Sequence, residues 1–466
     1  MLNINKSISY LKLASKQNYP IAQFCLGKLY YLGNDVPADI NQSIYYLTLA
    51  SNQNNIDAQV LLSRIFYDGL NIPRDFSKAV YYSKLASNQN NSEAQLILGI
   101  IYLNPFYQLN NINKAIYYLT LSANQNNLHA LFVLGELYYS NEEIKKDIKK
   151  AIHFLTLASY QSHPDAQYLL GIIYYTGTDT QRDINKALYY LKLASFQNHK
   201  DAQHLLGQLY YYGKDVHHDI YQAIHYLTLS SNQNNSYAQY LLGTIYYHGE
   251  YIDKDINKAI HYFKESSSFN VSMAKNYLGI IYKNGNGVKK NIGQSIEYFR
   301  EGIHQKNDSF CMYNLSRIYY YGIGIERDIS KSIELLEKAS KQDFMLADLF
   351  LYFIYTLSDK PENKSKSQYF KAKIKKFFDH DIIDYWYQFI LSIEKNDAKF
   401  LFFSRLNLFF LHYDLLISVP QGTIDLDDFM KYGLFIIPEK KQKCNIHSKS
   451  AIPPINKEFY KGFYGD

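Results

Sequence analysis

The amino-acid sequence predicts an all-α fold, a solenoid of helix-turn-helix units, and three observations carry that prediction. One signature, Leu-Gly-x-Leu/Ile-Tyr, recurs along most of the 466 residues at a period of 36. Around it the apolar and small residues follow helical spacing. The composition agrees: Tyr occurs 48 times because repeated columns in both helices are multiplied, and Pro, which breaks helices, occurs only 10 times. The length allows two or three domains or one long array, and the period selects the array.

The signature glycine anchors each unit. It stands at Gly27, Gly99, Gly135, Gly171, Gly207, Gly243 and Gly279, with Ser63 and Ser316 in the same slot and Tyr352 as a degenerate tenth copy. Helix A, of the form DAQYLLGIIYYTG, carries small or apolar residues at positions −5, −1, 0 and +3 from the anchor, one face of a helix. The −5 column is Ala from Ala22 to Ala347, with Cys311 the exception, and the +3 column is Tyr except at Phe66. A glycine six residues past the anchor, as at Gly33, Gly177 and Gly249, ends helix A, where positive φ is often required. Helix B follows an Asp or Asn twelve past the anchor, such as Asp39, Asn111 or Asp183, residue types that cap helix N-termini. It reads INKALYYLKLAS and stops in Gln-Asn-Asn or Gln-Asn-His, where Asn suits a left-handed C-cap.

A glycine inside helix A costs about 1 kcal/mol against Ala, so its recurrence implies a packing need. Ala and Gly at fixed positions let two helix backbones approach, and Tyr and Leu of neighbouring units fill the remaining space. No helix pair buries its apolar face alone, so the units must stack.

The combined pattern Ala-x-x-x-Leu-Gly-x-x-Tyr-x-x-Gly, then Asp-x-x-Lys-Ala-x-x-Tyr-x-x-x-Ala, stands whole in Ala166 to Gly177 and Asp183 to Ala194. It resembles the Sel-one-like repeat (SLR) of the tetratricopeptide-like (TPR-like) superfamily, over residues 1–357. The resemblance implies a right-handed α-solenoid with helices A on its concave side, acting as an adaptor in larger complexes. Family examples are the endoplasmic-reticulum-associated degradation adaptor, activators of chitin synthase and bacterial secreted repeat proteins. Two features depart from these examples. The bacterial secreted type carries a disulfide in each repeat, and the three Cys here exclude that. The degradation adaptor is luminal and membrane-anchored, and the sequence shows no such segment.

Three regions are expected. Residues 1–357 form the array, which opens in mid-unit because Ile4 to Gln17 reads as a helix B without its helix A; the first interface is left open, or the chain derives from a longer ancestor. Residues 358–437 form a non-repeat helical region. It starts with Lys360 to Lys376, seven Lys against one Glu, and continues through apolar Phe377 to Ile437, with the only Trp, Trp386, as a helical C-terminal cap. Residues 438–466 form a poorly ordered tail whose end, EFYKGFYGD, is a frayed terminus or a short docking peptide. The most apolar stretch, Phe400 to Val419, carries Arg405, His412 and Asp414 and suits a buried helix better than a bilayer span. The N-terminus has neither a basic nor an unbroken apolar region of a signal peptide. A cytoplasmic protein with free thiols follows.

Chemistry is not signalled. The sequence holds no GxGxxG, P-loop, HExxH or GxSxG. Cys25 and Cys311 fall inside helix A, where a free Cys acts as a small hydrophobe, and Cys444 falls in the tail. His217-His218-Asp219 reads as a solvated turn, because three adjacent residues cannot all reach one ion. His163 and His199 share one inter-unit slot in consecutive repeats, close enough to stack. The reading is therefore of a non-enzyme with no cofactor and no metal. The formal charge of +6 equals that of Lys360 to Lys376 alone, so nucleic acid is not an expected partner.

The best binding candidate is a stripe on helix A, the positions −3, +1 and +4, of which −3 and +1 vary freely between units while the core columns scarcely change. Its members are Phe24, Lys28, Arg64, Phe132, Glu136, Tyr168, Tyr175, His204, Gln208, Tyr211, Tyr240, Tyr247, Tyr313, Arg317 and Tyr320. Tyr and Arg are frequent interface anchors, although Tyr also packs between helices. The leading expectation is a non-enzymatic scaffold that holds a protein or peptide in its groove. A second is a regulatory subunit or activator of a membrane-associated enzyme, or of a ubiquitin-ligase or degradation-like complex. There Lys360 to Lys376 would lie on an anionic membrane surface, against the simpler reading of a solvated helix face. A third, a repeat-protein hydrolase, requires a His, an acid and a Ser or Cys to converge.

Overall fold

The computed structural model describes residues 4–375 except 71, 105–110, 141–143, 178–179, 357 and 359–360. The cap expected over Phe377 to Ile437, Trp386, Cys444 and the tail from Pro438 lie outside the described residues. Among the described residues the chain forms twenty-one α-helices and no strand, an α-solenoid of alternating helices B and A.

The helices group into two compact units whose boundary falls at the end of α12: residues up to Leu209 with Asp215–His217, and Tyr210–Lys214 with the residues from His218 on. The first unit holds α1 (Ile4–Lys16), α2 (Pro20–Leu32), α3 (Ile40–Ser51), α4 (Ile56–Asp68), α5 (Phe76–Asn88), α6 (Ser92–Leu103), α7 (Ile112–Ala123), α8 (Leu128–Ser140), α9 (Ile148–Tyr160), α10 (Pro164–Thr176), α11 (Ile184–Phe196) and most of α12 (Lys200–Tyr212). The second holds α13 (Ile220–Ser231), α14 (Ser236–His248), α15 (Ile256–Ser268), α16 (Ser272–Asn284), α17 (Ile292–Lys306), α18 (Ser309–Tyr321), α19 (Ile329–Ser340), α20 (Met345–Thr356) and α21 (Pro361–Ile374). Even-numbered helices up to α20 are type A.

Local chemistry sets the helix ends. Asp39, Asp183 and Asn291 each accept a hydrogen bond from the backbone N–H three residues on, at 3.0 Å, and so start a helix B. Helix A stops at glycines in the left-handed region, Gly33 at φ 70° and Gly177 at φ 64° among them. The Gln-Asn-Asn triplet divides its work. In the copy Gln53-Asn54-Asn55, Asn54 takes φ 61° and turns the chain, while Asn55 Oδ1 accepts from Ala58 N at 2.8 Å and caps the next helix A. The sequence reading assigned the triplet only to the end of helix B; its last residue begins helix A.

Packing explains the anchor. A β-carbon on Gly135 would lie 2.6 Å from Leu155 Cγ and 2.7 Å from Cδ2, so the glycine is the seat of a helix B leucine twenty residues on. Gly243 and Gly279 seat Phe263 and Phe299 in the same way. Where the anchor is Ser63 the opposing residue shrinks to Ser83, and the two buried hydroxyls hydrogen-bond. The +3 ring stacks on an aromatic of helix B, for example Tyr174 on Tyr190 at 5.9 Å, and the Lys of the helix B start sits over it, as Lys186 does at 5.1 Å.

The last described pair keeps this plan after the sequence period lapses. α21 packs on α20 with Tyr355 stacked on Phe370 at 5.9 Å and Lys366 at 5.0 Å over the Tyr355 ring. The stacking partner comes fifteen residues after Tyr355, not the sixteen of other units. Phe370 and Ile374 are buried. The Lys-rich segment is thus a packed helix B as far as Ile374, with Lys364 exposed and Lys373 drawn inward. Lys373 Nζ lies 3.2 Å from Asp348 Oδ1 and donates to Ser340 O at 2.8 Å, while Asp348, fully buried, also accepts from Ser340 Oγ at 2.5 Å. Desolvation pushes the Asp348 carboxyl above the usual range, against the pull of Ser340 and Lys373.

Candidate functional site

The helix A stripe differs between the units. In the first, the +1 column is open at three of its positions: Lys28, Arg64 and Glu136 are exposed, on α2, α4 and α8, while Ile100, Ile172 and Gln208 are half-buried. Arg64 is ion-paired to Glu93 of α6. Although the Glu136 side chain reaches solvent, desolvation by the neighbouring protein, followed by repulsion from Asp165, raises its carboxyl above the ordinary value.

The −3 column is half-buried because it stitches repeats together. Phe132 stacks on His163 at 4.4 Å, and Tyr168 stacks on His199 at 4.6 Å. The two histidines therefore do not stack on each other; each covers the ring of the preceding repeat. Phe24 is half-buried in the core that contains Leu47 and Leu62. Two +4 rings, Tyr139 and Tyr175, carry a cation from the loop after helix A: Lys146 lies 5.1 Å from the first, and Arg182 lies 5.3 Å from the second and donates Nε to Tyr175 O at 2.9 Å. His204 and Gln208 on α12 are half-exposed by area, yet desolvation pulls the His204 imidazole down to about 4.

In the second unit the stripe turns inward. Tyr211 and Tyr240 are half-buried, and Tyr247 is buried against Tyr277 at 5.2 Å. Tyr313 and Arg317 are 1% and 2% exposed, with the guanidinium 5.7 Å from the Tyr313 ring. Tyr320 lies beneath Arg327, 5.2 Å from its ring, and packs on Phe350 at 5.2 Å. Lys283, 9% exposed, is held near 7 by burial and then by Arg317 and Lys290. Tyr247, Tyr313 and Arg317 thus pack inside the chain, and the exposed members of the stripe, Lys28, Arg64 and Glu136, lie in the first unit.

Outside the stripe, His218 packs on Tyr251 with ring centroids 4.2 Å apart. Cys311 is buried and Cys25 half-buried. Among the described residues no group of three or more His, Cys, Asp or Glu is placed to hold a metal ion, and no helix is long and apolar enough to cross a membrane.

Sequence reasoning missed a buried glutamine ladder. Gln167 Nε2 donates to Ser159 O at 3.4 Å and its Oε1 accepts from Gln197 Nε2 at 2.7 Å. Gln23 with Gln53 and Gln95 with Gln125 repeat the pair at 2.7 Å. In the second unit Lys275 takes this slot, bonding Gln305 at 2.5 Å and Glu301 at 3.1 Å. The signal was present, since Gln recurs four residues before the anchor and again in the Gln-Asn-Asn triplet.

Stacked helix pairs with a repeated small-residue seam define an α-solenoid repeat protein. The chain belongs to the Sel1 repeat family: ten matches span 2–19, six consecutive blocks of 36 residues from 20 to 235, then 236–268, 272–307 and 309–344. The fold is shared with solved structures. One is a protective antigen of uropathogenic Escherichia coli displaying an SLR fold, 19% identical, with a TM-score of 0.60 over 97% of this chain and 99% of that one. Another is a Sel1 repeat protein from Oxalobacter formigenes, 23% identical, with a TM-score of 0.54 over 66% of this chain and 90% of that one. No curated protein matches the chain. Sel1 repeats are in general protein-interaction scaffolds, and Sel1 repeat proteins are typically non-enzymatic.

Proposed function

We propose that this chain is a non-enzymatic, cytoplasmic scaffold that docks a protein or peptide along the helix A stripe of its first unit. The observation that supports this reading is the exposed part of the +1 column. Lys28, Arg64 and Glu136 present different charges at equivalent positions of one repeated framework, while the columns that bind the framework together scarcely change. Half-buried Phe24, Phe132, Tyr168 and Tyr175 flank them and supply apolar edges beside the charges. Charge sequence along a fixed frame favours one partner register and penalises others.

The test is affinity capture from the native cell with the full chain and with Lys28→Glu/Arg64→Glu/Glu136→Lys. A control carries Tyr45→Ala/Tyr81→Ala/Tyr117→Ala on the exposed face of helices B. Loss of a captured protein in the first variant alone supports the stripe. Unchanged capture by the folded charge variant overturns it. The membrane-activator reading draws on the lysines of α21, and the structure already engages Lys366 and Lys373 within the chain.

A further inference from the structure

The residue that caps helix A is Asn in four units: Asn55, Asn91, Asn127 and Asn235 accept from Ala58, Ala94, Ala130 and Ala238 N–H at 2.8 to 3.1 Å. At two consecutive units His replaces it. His163 Nδ1 accepts from Ala166 N at 3.4 Å and His199 Nδ1 accepts from Ala202 N at 3.2 Å. An amide oxygen caps at any pH. An imidazole Nδ1 caps only when it carries no proton.

We propose that His163 is a proton-released N-cap that makes the start of α10, and its junction with the preceding repeat, sensitive to mild acid. Protonation turns Nδ1 from acceptor to donor. Ala166 N–H then loses its partner, and the new N–H faces Asp165 Oδ2, 3.7 Å away. The positive ring also meets the positive end of the helix dipole, which opposes it. The ring is buried, stacked on Phe132 of α8, so the site links two repeats as well as one helix end.

The titratable groups around it come from three elements. α8 supplies His129, edge-on at 5.9 Å, and Glu136, which senses Asp165. α10 supplies Asp165. The turn before α12 supplies His199, whose Nε2 lies 3.1 Å from Asp165 Oδ1, with Lys200 and Asp201 following in that helix's first turn. Asp165 thus serves both rings. The largest influence on His163 is desolvation, which lowers its proton affinity; Asp165 opposes this, and His129 and His199 reinforce it. A folded-state value below that of the unfolded chain means that the stabilisation is complete above about 6.5 and is lost as pH falls through and below that value.

Amide hydrogen exchange with mass spectrometry on the full chain tests this, comparing the first turn of α10 with that of α6, capped by Asn91, at matched pH. Between pH 7.5 and 5.5 the α10 turn is expected to lose protection about five-fold relative to α6, the size of one cap. His163→Asn should remove the pH dependence and keep protection at both pH values. His163→Ala should lack protection at both. An α10 turn that tracks α6 across the range, or an Asn variant that keeps the pH dependence, overturns the proposal.

Discussion

Replacing Gly135 by Ala sets two effects of opposite sign against each other. Helix propensity alone favours the change by about 1 kcal/mol, because Gly is a poor interior helix residue. Packing opposes it. The new β-carbon would sit 2.6 Å from Leu155 Cγ and 3.2 Å from the Leu155 backbone N, and Leu155 is fully buried. Overpacking of this kind costs about 1–3 kcal/mol, so a net destabilisation of up to about 2 kcal/mol is expected. A molecule that already solves the conflict supplies the second half of the test. At Ser63 and Ser83 both partners are small and hydrogen-bonded, so Gly135→Ser/Leu155→Ser should be more stable than the two single changes sum to, by about 1–3 kcal/mol. Urea unfolding measures the changes. Exchange protection in α8 and α9 should accompany it, because long arrays lose two-state behaviour. Stabilisation of Gly135→Ala by about 1 kcal/mol, or strict additivity in the serine cycle, would refute the seat assigned to this glycine.

Other expectations rest on single interactions. Lys373→Met leaves the buried Asp348 carboxyl without its cation and should cost about 3–5 kcal/mol, read as early protease cleavage within α21; cleavage at the wild-type rate would deny that the Lys373–Asp348 pair holds α21 on α20. Asp183→Ala removes the Lys186 N–H acceptor and should destabilise α11 by about 1 kcal/mol, measured as faster exchange in its first turn. Gln167→Leu strands Gln197 Nε2 and opens the Ser159 carbonyl, and should cost about 1–3 kcal/mol in urea unfolding; Gln161→Leu, on an exposed residue, should change little.

The repeat itself was legible because each recurring column does one local job. Asp183 caps, Gly177 turns, Gly171 yields space, and such roles depend on residues within about twenty positions in the chain. α21 was not legible as a repeat helix, since its packing tolerates a one-residue shift in the stacking ring, from sixteen residues to fifteen. The Gln ladder and the shared role of the Gln-Asn-Asn triplet required knowing which atoms meet across a turn. The histidine caps stood in plain sight at His163 and His199, but their column read as Asn only after Asn55 and its equivalents were seen to cap helix A.

The candidate stripe divides in the same way. Its positions follow from the helical period alone, and the sequence determined that period, the helix boundaries and the family. Access was decided by tertiary structure. The +1 column is open at Lys28, Arg64 and Glu136 and closed at Arg317. A residue's place on a helix face is set by rotation along its own chain. Its exposure is set by what distant residues pack against it, and no local pattern records that.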